Sequence, residues 1–323
     1  MNRRLALHLG LGAALAVGCA SLSAQNRDWP SGPIRIIVPF GPGSGNDQVA
    51  RLFAEKLTRT VGQPVVIDNR AGANGAIGAE AAARAAPDGQ TLFLTTQTTQ
   101  AAAPSLMKKI NYDPIRDFEP IGRIANTAAL LVVHPSLPVR NLAELVALAK
   151  AQPGKLSYAS GSAGTLVPAA MLLNAAGIDM VHVKYKSIPQ GLTDVMAGHV
   201  NMMFTDMATG VPQVKAGKVR AVAISSQQPS VDLPDVPPIA RQYPGFELLA
   251  WYALYAPAGT PKPIIDRLNT ITRAMSTEPA LRERLLAMSL EPASSSPAEL
   301  AAFNRAELEK WTRLIKLAGI EPE

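Results

Sequence analysis

The chain has 323 residues, 47% hydrophobic and 17% charged, with a formal net charge of +6. That is enough apolar material for one large or two modest domains, and it excludes a disordered chain. Setting aside Arg3 and Arg4 with the leader described next leaves 29 basic against 25 acidic residues, a balance of +4. These basic residues are scattered, so nucleic acid is not an expected partner; the charge supports only a weak bias toward anionic ligands.

In chain order, the first signal is a leader. Arg3 and Arg4 form a basic start, Leu5 to Ala20 an apolar run, and Ser21, Ser23 and Ala24 a small-residue end. This reads as a secretory signal peptide over residues 1–24, cleaved near Ser23 or Ala24, and implies a periplasmic protein. The run is short and interrupted by His8 and glycines, which argues against a membrane span. No later run approaches about 20 apolar residues, so a soluble mature chain is expected. Cys19, the only cysteine, falls inside the leader, leaving the mature chain without disulfides or thiol chemistry. Lipidation at Cys19 is the alternative: Gly18 precedes it, but Ala16 stands where a larger aliphatic residue is usual.

Ile34 to Val38 suits a buried strand, ended by Pro39, which cannot donate to a ladder. Gly41, Gly43 and Gly45 then allow a sharp loop, Ser44, Asn46 and Asp47 offer helix caps, and Val49, Leu52, Phe53 and Leu57 form one helical stripe. A strand feeding a helix through bare N–H groups makes an anion pocket, because the unpaired donors and the positive dipole end point outward. The device recurs. A strand at Pro64–Ile67 leads into a second glycine-rich loop, Asp68–Gly78, and a helix over Ala79–Ala86. A third strand over Thr91–Leu94 ends in Thr95, Thr96, Gln97, Thr98 and Thr99. Strand–loop–helix repetition predicts a parallel sheet with helical crossovers, whose ligands sit beyond the carboxyl ends of the strands.

Ile121 to Val133 is a long apolar stretch, read as a crossing strand. Asn141 caps a helix to Ala151, stopped by Pro153 and Gly154. The strand Leu156–Ala159 opens a second unit with the loop Ser160–Thr165 and a helix ending at Gly177. Strands follow at 181–185, 200–204 and 219–224, with a helix over 190–197. Residues 232–244 are proline-rich and irregular. Phe246 to Ala256 is a second crossing candidate. The tail is helical, with a stripe of Ile264, Ile265, Leu268, Ile271 and Met275. A capping box, Ser296-Pro297-Ala298-Glu299, opens the last helix, with Leu300, Phe303, Leu308, Trp311 and Ile315 inward. The expected fold is α/β: two lobes of periplasmic-binding-protein architecture, type II-like, each a mainly parallel sheet flanked by helices. Lobe one spans 25–124 plus 252–323 and lobe two 125–251, and the two crossing strands form a hinge that favours closure on a ligand.

Other chemistries are open to the same residues. Gly41-x-Gly43 after a strand, with Asp68 ending the next, approximates a dinucleotide fingerprint, but Asn46 holds the place of the third glycine. A tight turn with no ligand explains one glycine-rich loop, not two in tandem and a third in the other lobe. Ser44 and Ser162 both lack Gly-x-Ser-x-Gly, and His134, His182 and His199 are the available bases, so nothing asks for a hydrolase triad. No spacing of histidine, carboxylate and thiol suggests a metal. Asp47 serves its helix N-terminus. Asp206, at a strand end, accepts either from a ligand hydroxyl or amine or from amides of its own loop. Lys184 and Lys186 can meet an anion or remain solvated; Tyr185 and Trp251 can face a ligand or pack.

Together these motifs are identifiable. Trp29-Pro30, Ile36 to Asp47, Ala50-Arg51, Asn69 to Gly75 with Ile77-Gly78, and Pro87-Asp88-Gly89 with Thr91-Leu92 resemble the Bug (TctC-like) substrate-binding proteins of tripartite tricarboxylate transporters. Tyr158-Ala159-Ser160, His182 to Lys186 and Phe204-Thr205-Asp206 continue the match in order, so it covers nearly all of the mature chain. The resemblance implies a monomeric, non-catalytic, cofactor-free binding protein that delivers a small organic acid, a di- or tricarboxylate or related anion, to membrane permease subunits. It places ligand binding on Phe40, Gly41, Gly43, Ser44, Gly45, Asn46 and Asp47, and on Gly72, Asn74, Gly75 and Ala76. Ser160, Gly161, Ser162, Thr165 and Asp206 read the ligand's far end. Thr95 and Thr96, at a strand's carboxyl end, and Lys186 complete the candidates. Ser44 stands where the family often has glycine, Gln100-Ala101-Ala102-Ala103-Pro104 where it has His-Ala-x-Asn-Pro, and Leu166-Val167-Pro168 where it has Ser-x-x-His. The competing readings are a nucleotide-dependent or hydrolytic α/β enzyme and a ligand-sensing subunit for a membrane receptor.

Overall fold

A computed structural model of the protein describes residues 29–323. The leader at 1–24, its cleavage site and Cys19 lie outside the described residues. β1 (Ile34–Val38) feeds α1 (Gly45–Val61), β2 (Val65–Asn69) feeds α2 (Ala76–Ala83), and β3 (Thr91–Thr96) runs into a π-helical turn at Thr98–Ala102 and α3 (Ala103–Leu106). β1 lies between β2 and β3, parallel to both, with Ile36 opposite Ile67 and Leu92. Ile34, Ile36, Ile37 and Val38 are fully buried because helices cover both faces. α1 lays Val49, Leu52, Phe53 and Leu57 into this core, each worth about 1.5–3 kcal/mol as an upper figure.

β4 (Phe118–Val133) is 16 residues long and belongs to two sheets. Its first part, to Ala128, runs antiparallel to β9 (Leu249–Pro257), which in turn pairs with β3. Its last part, Ala129–Val133, pairs antiparallel with β7 (Met202–Asp206) on one side and β8 (Arg220–Ile224) on the other. β5 (Ser157–Ser160) then pairs parallel with β7 and with β6 (Val181–Lys184). The parallel trios are as expected; the antiparallel crossing strands make each sheet mixed. α4 (Leu142–Ala151), α5 (Ala163–Ala176), α6 (Ile188–Met196) and α7 (Met207–Lys215) cover the second sheet, and α8 (Lys262–Thr277), α9 (Pro279–Ala287), β10 (Glu291–Pro292) and α10 (Pro297–Leu317) complete the first.

The crossing is stitched by one serine. Ser225 N donates to Ala129 O (2.9 Å), Ser225 Oγ accepts from Ala129 N (2.8 Å) and donates to Leu248 O (2.6 Å), and Leu248 N donates to Ser225 O (3.1 Å). Just beyond the β4–β9 ladder, Ser225 thus ties the outgoing chain to the returning one.

Three local readings change. α2 begins three residues before the expected Ala79, because Asn74 and Gly75 turn the chain at positive φ. α7 was not foreseen, since Gly210 and Pro212 read as breakers; Asp206 caps it, accepting from Thr209 N at 2.8 Å. On α10, Leu308 is only half-buried and Glu307 takes the inward place, where two indole N–H groups need an acceptor.

Candidate functional site

The first loop is held by its own residues. Ser44 Oγ caps α1 by accepting from Asp47 N (3.3 Å). The Asp47 carboxylate accepts from Gly43 N (2.9 Å), Arg51 Nε (2.9 Å) and Nη2 (3.0 Å), and Asn69 Nδ2 (3.0 Å). Asn69 Nδ2 also donates to Phe40 O at 3.0 Å, tying the first loop to the second. Burial alone would raise the Asp47 pKa, but the bonds from Arg51, Gly43 and Asn69 outweigh it and hold the group below its usual 3.8. A depressed folded-state pKa adds stability above the unfolded value, and that stability fades as the pH falls through the folded one. Asp47→Asn should therefore flatten the loss of thermal stability below about pH 4, measured by melting from pH 7 to 3.

In the second lobe, Thr165 Oγ1 accepts from Gly161 N (3.0 Å) and Ser162 N (3.2 Å) and donates to Ser162 O (3.0 Å). Asp206 accepts from Thr209 N (2.8 Å) and Thr209 Oγ1 (3.0 Å). Burial pushes the Asp206 pKa up, against the bonds from Thr209 and from the Gly45 N–H across the cleft. Ser44, Ser162 and Asp206 are the N-caps of α1, α5 and α7, and all three line one cavity. Three helix N-termini therefore converge there from both lobes, two with neutral serine caps and the third already met by the Asp206 carboxylate.

The cavity has a volume of about 40 Å³, room for a few water-sized groups in a shut cleft. Phe40, Ser44, Asn46, Thr96, Ser162, Thr165 and Asp206 line it, joined by Gln97, Thr127, Ala128, Ala129, Gly164, Ile188, Ala250 and Tyr252. Among the described residues no lysine, arginine or histidine does. Asn46 is 3% exposed, and among the described residues neither its Oδ1 nor its Nδ2 has a partner. Unpaired buried amide atoms cost free energy, and a ligand in the cavity would satisfy them. Glycines let the lobes meet: a Cβ on Gly41 would lie 3.0 Å from Ser187 Oγ, and one on Gly45 2.6 Å from Asp206 Oδ1.

Several sequence candidates lie elsewhere. Asp47 does not line the cavity, its lone pairs being committed as above. Gly41, Gly43, Gly45 and Gly161 shape the loops, and Gly161 packs so near Ser187 that a Cβ would stand 2.3 Å from its carbonyl carbon. Gly72, Asn74, Gly75 and Ala76 form a backing layer, with Gly75 against Thr99 and Pro39. Thr95 Oγ1 is bonded to Thr99 Oγ1 (2.6 Å), and Ser160 Oγ to His182 Nε2 (2.7 Å). Lys186 is exposed and off the cavity, and Lys184 pairs with Glu323. The residues missed come mainly from the crossing strands. Thr127 is a polar break in the apolar Ile121–Val133 run. Tyr252 follows from strand alternation: Trp251 turns inward to Glu307, so its neighbour faces the cleft.

The competing chemistries gain nothing from the geometry. Asp68, the would-be ribose acceptor, is paired with Arg70 at 2.8 Å. Ser160 and His182 form a pair without a carboxylate on the other ring nitrogen, His182 being stacked on Tyr158. Burial first, with the Lys184 charge also acting, holds the His182 pKa below its usual value despite Glu323. Among the described residues no cluster of three His, Cys, Asp or Glu side chains could hold a metal, and no helix is long and apolar enough to cross a membrane.

Residues 49–320 match the family described as "Tripartite tricarboxylate transporter family receptor". The chain is similar to the solved structure of Rpa4515 from R. palustris with adipate, at 32% identity and a TM-score of 0.89, covering 92% of this chain and 100% of the other. It is similar to the periplasmic binding protein BugD at 33% identity and a TM-score of 0.87, covering 91% and 100%. It is also similar to MatC from Rhodopseudomonas palustris with bound malate, at 30% identity and a TM-score of 0.82, covering 88% and 99%.

Proposed function

The chain belongs to the tripartite tricarboxylate transporter receptor family, and we propose that it is an extracytoplasmic solute-binding protein. It captures a small carboxylate-bearing organic anion between its lobes, in the periplasm and as a monomer, and delivers it to the permease subunits of a tripartite tricarboxylate-type transporter, turning nothing over. The observation that carries this reading is the unpartnered Asn46 amide in a buried cavity ringed by three helix N-termini. Such a site offers N–H donors and positive dipole ends to an anion without a counter-cation. Lobe one holds the carboxylate at the start of α1; lobe two closes over it with the N-terminus of α5. The adipate and malate in the two relatives' structures support the ligand class.

Thermal melting with a panel of mono-, di- and tricarboxylates, beside native mass spectrometry of the purified protein, tests this. A bound ligand at 100 times its Kd adds about 2.7 kcal/mol, read as a rise of several degrees in Tm. Stabilisation by a dinucleotide with no response to any carboxylate would overturn the reading.

A further inference from the structure

One amide at the cavity is fixed in a way that the other, Asn46, is not. Gln97 is 2% exposed and sits just after β3, at the seam of the lobes. Its Oε1 accepts the backbone N–H of Trp251 on the returning strand, at 3.2 Å. A backbone N–H needs an acceptor, so this bond decides which way the carboxamide faces and leaves Nε2 at the other end. Nε2 lies beside Gly164, also a cavity residue, so closely that a Cβ there would stand 2.8 Å from it. Among the described residues Nε2 donates to no acceptor. A donor with two N–H groups is therefore held at the cavity by the backbone of β9.

We propose that Gln97 is a specificity-determining residue, its side-chain amide donating to the carboxylate of the captured anion. The assignment rests on the carboxylate reading above and adds the group that enforces it. With no cation lining the cavity, fixed neutral donors must discriminate an acceptor end from a donor end. Asn46 lacks this anchoring: both its amide atoms are unpaired, so it can turn to suit either. Gln97 cannot turn without orphaning Trp251 N. The strand it anchors is the returning hinge strand, so the bond also fixes the donor relative to the hinge.

Gln97→Glu separates this role from a structural one. Glutamate is isosteric, and one of its oxygens still accepts from Trp251 N, so the variant should fold; burial beside Asp206 disfavours the ionised group, so its unliganded Tm should be lowest at pH 9 and rise toward wild type as the pH falls to 5.5. The atom facing the cavity changes from donor to carboxylate oxygen. Calorimetric titration with succinate, malate, adipate and citrate should show that whichever of these binds wild type loses about 100-fold or more in the variant. The loss should be full at pH 9, and affinity relative to wild type, a ratio that cancels the protons these acids themselves take up, should recover at least tenfold by pH 5.5, where the introduced group is protonated and donates again. An affinity for Gln97→Glu within threefold of wild type at pH 9, or an equal loss at both pH values, overturns the assignment and leaves the carboxylate reading standing. If wild type binds none of the four acids, the carboxylate reading falls and takes the assignment with it.

Discussion

Gly45→Ala should give a folded protein that captures its ligand about 100-fold or more weakly. Gly45 is the first residue of α1 and is not among the glycines at positive φ, so the helix itself accepts alanine. The obstacle is shared between Tyr252, which belongs to the same lobe, and Asp206, which lies across the cleft. The new Cβ would stand 2.5 Å from Tyr252 Oη, 2.6 Å from Asp206 Oδ1 and 2.9 Å from Asp206 Cγ. Neither neighbour can withdraw at low cost while the cleft is shut. Asp206 is bonded twice to Thr209, and Tyr252 sits on β9 between β3 and β4. Parting the lobes would carry Asp206 away with lobe two and leave the Tyr252 ring, on Gly45's own lobe, as the one neighbour that must yield. The clash with Asp206 therefore falls on the closed form, and whatever affinity depends on closure is lost with it. Titration calorimetry reads the affinity, and small-angle scattering with ligand reads the larger radius of gyration expected of the variant. Wild-type affinity in Gly45→Ala would show that this glycine seam is not a closure contact.

Glu307→Ala should cost about 2–5 kcal/mol of stability. Glu307 is 5% exposed, and its Oε2 accepts from Trp251 Nε1 (2.9 Å) and Trp311 Nε1 (3.0 Å) while Oε1 accepts from Lys310 Nζ (3.0 Å). Truncation leaves two buried indole donors without a partner, each costing about 1–3 kcal/mol, and opens a gap between α10 and the returning strand. Lys310 is 39% exposed at its side chain and can turn to water, so its bond adds little. Glu307→Gln retains an acceptor oxygen and should cost about 1 kcal/mol. Urea unfolding followed by tryptophan fluorescence measures both variants. A loss below 1 kcal/mol for the alanine variant would show that water reaches the indoles.

The elements legible in the sequence are those whose causes lie within a few residues. Ser44 accepting from Asp47 N, and Ser296 and Glu299 exchanging bonds at the start of α10, are contacts across three positions. The stripe of Val49, Leu52, Phe53 and Leu57 is likewise local. Asp47 illustrates the limit. Its pattern suits both an anion loop and a helix start, and only the arrival of Asn69 from the second loop, beside Arg51, shows that its carboxylate is already taken. The same holds for Ser160, which His182 claims, and for the second glycine-rich loop, which Pro39 and Thr99 place behind the first. Glu307 was hidden for a related reason: a charged residue beside Leu308 reads as the exposed neighbour until two tryptophans from different elements meet it.

By itself the sequence determined the strand–loop–helix units, their caps, the two crossing segments and the family, because alternation, capping and turn chemistry act between near neighbours. The tertiary structure alone decided the cavity. Its wall joins Phe40, Gln97, Thr127, Ser162, Asp206 and Tyr252, positions far apart in the chain. Which of them face inward depends on how two sheets share β4, and burial between distant segments leaves no periodic mark in the sequence.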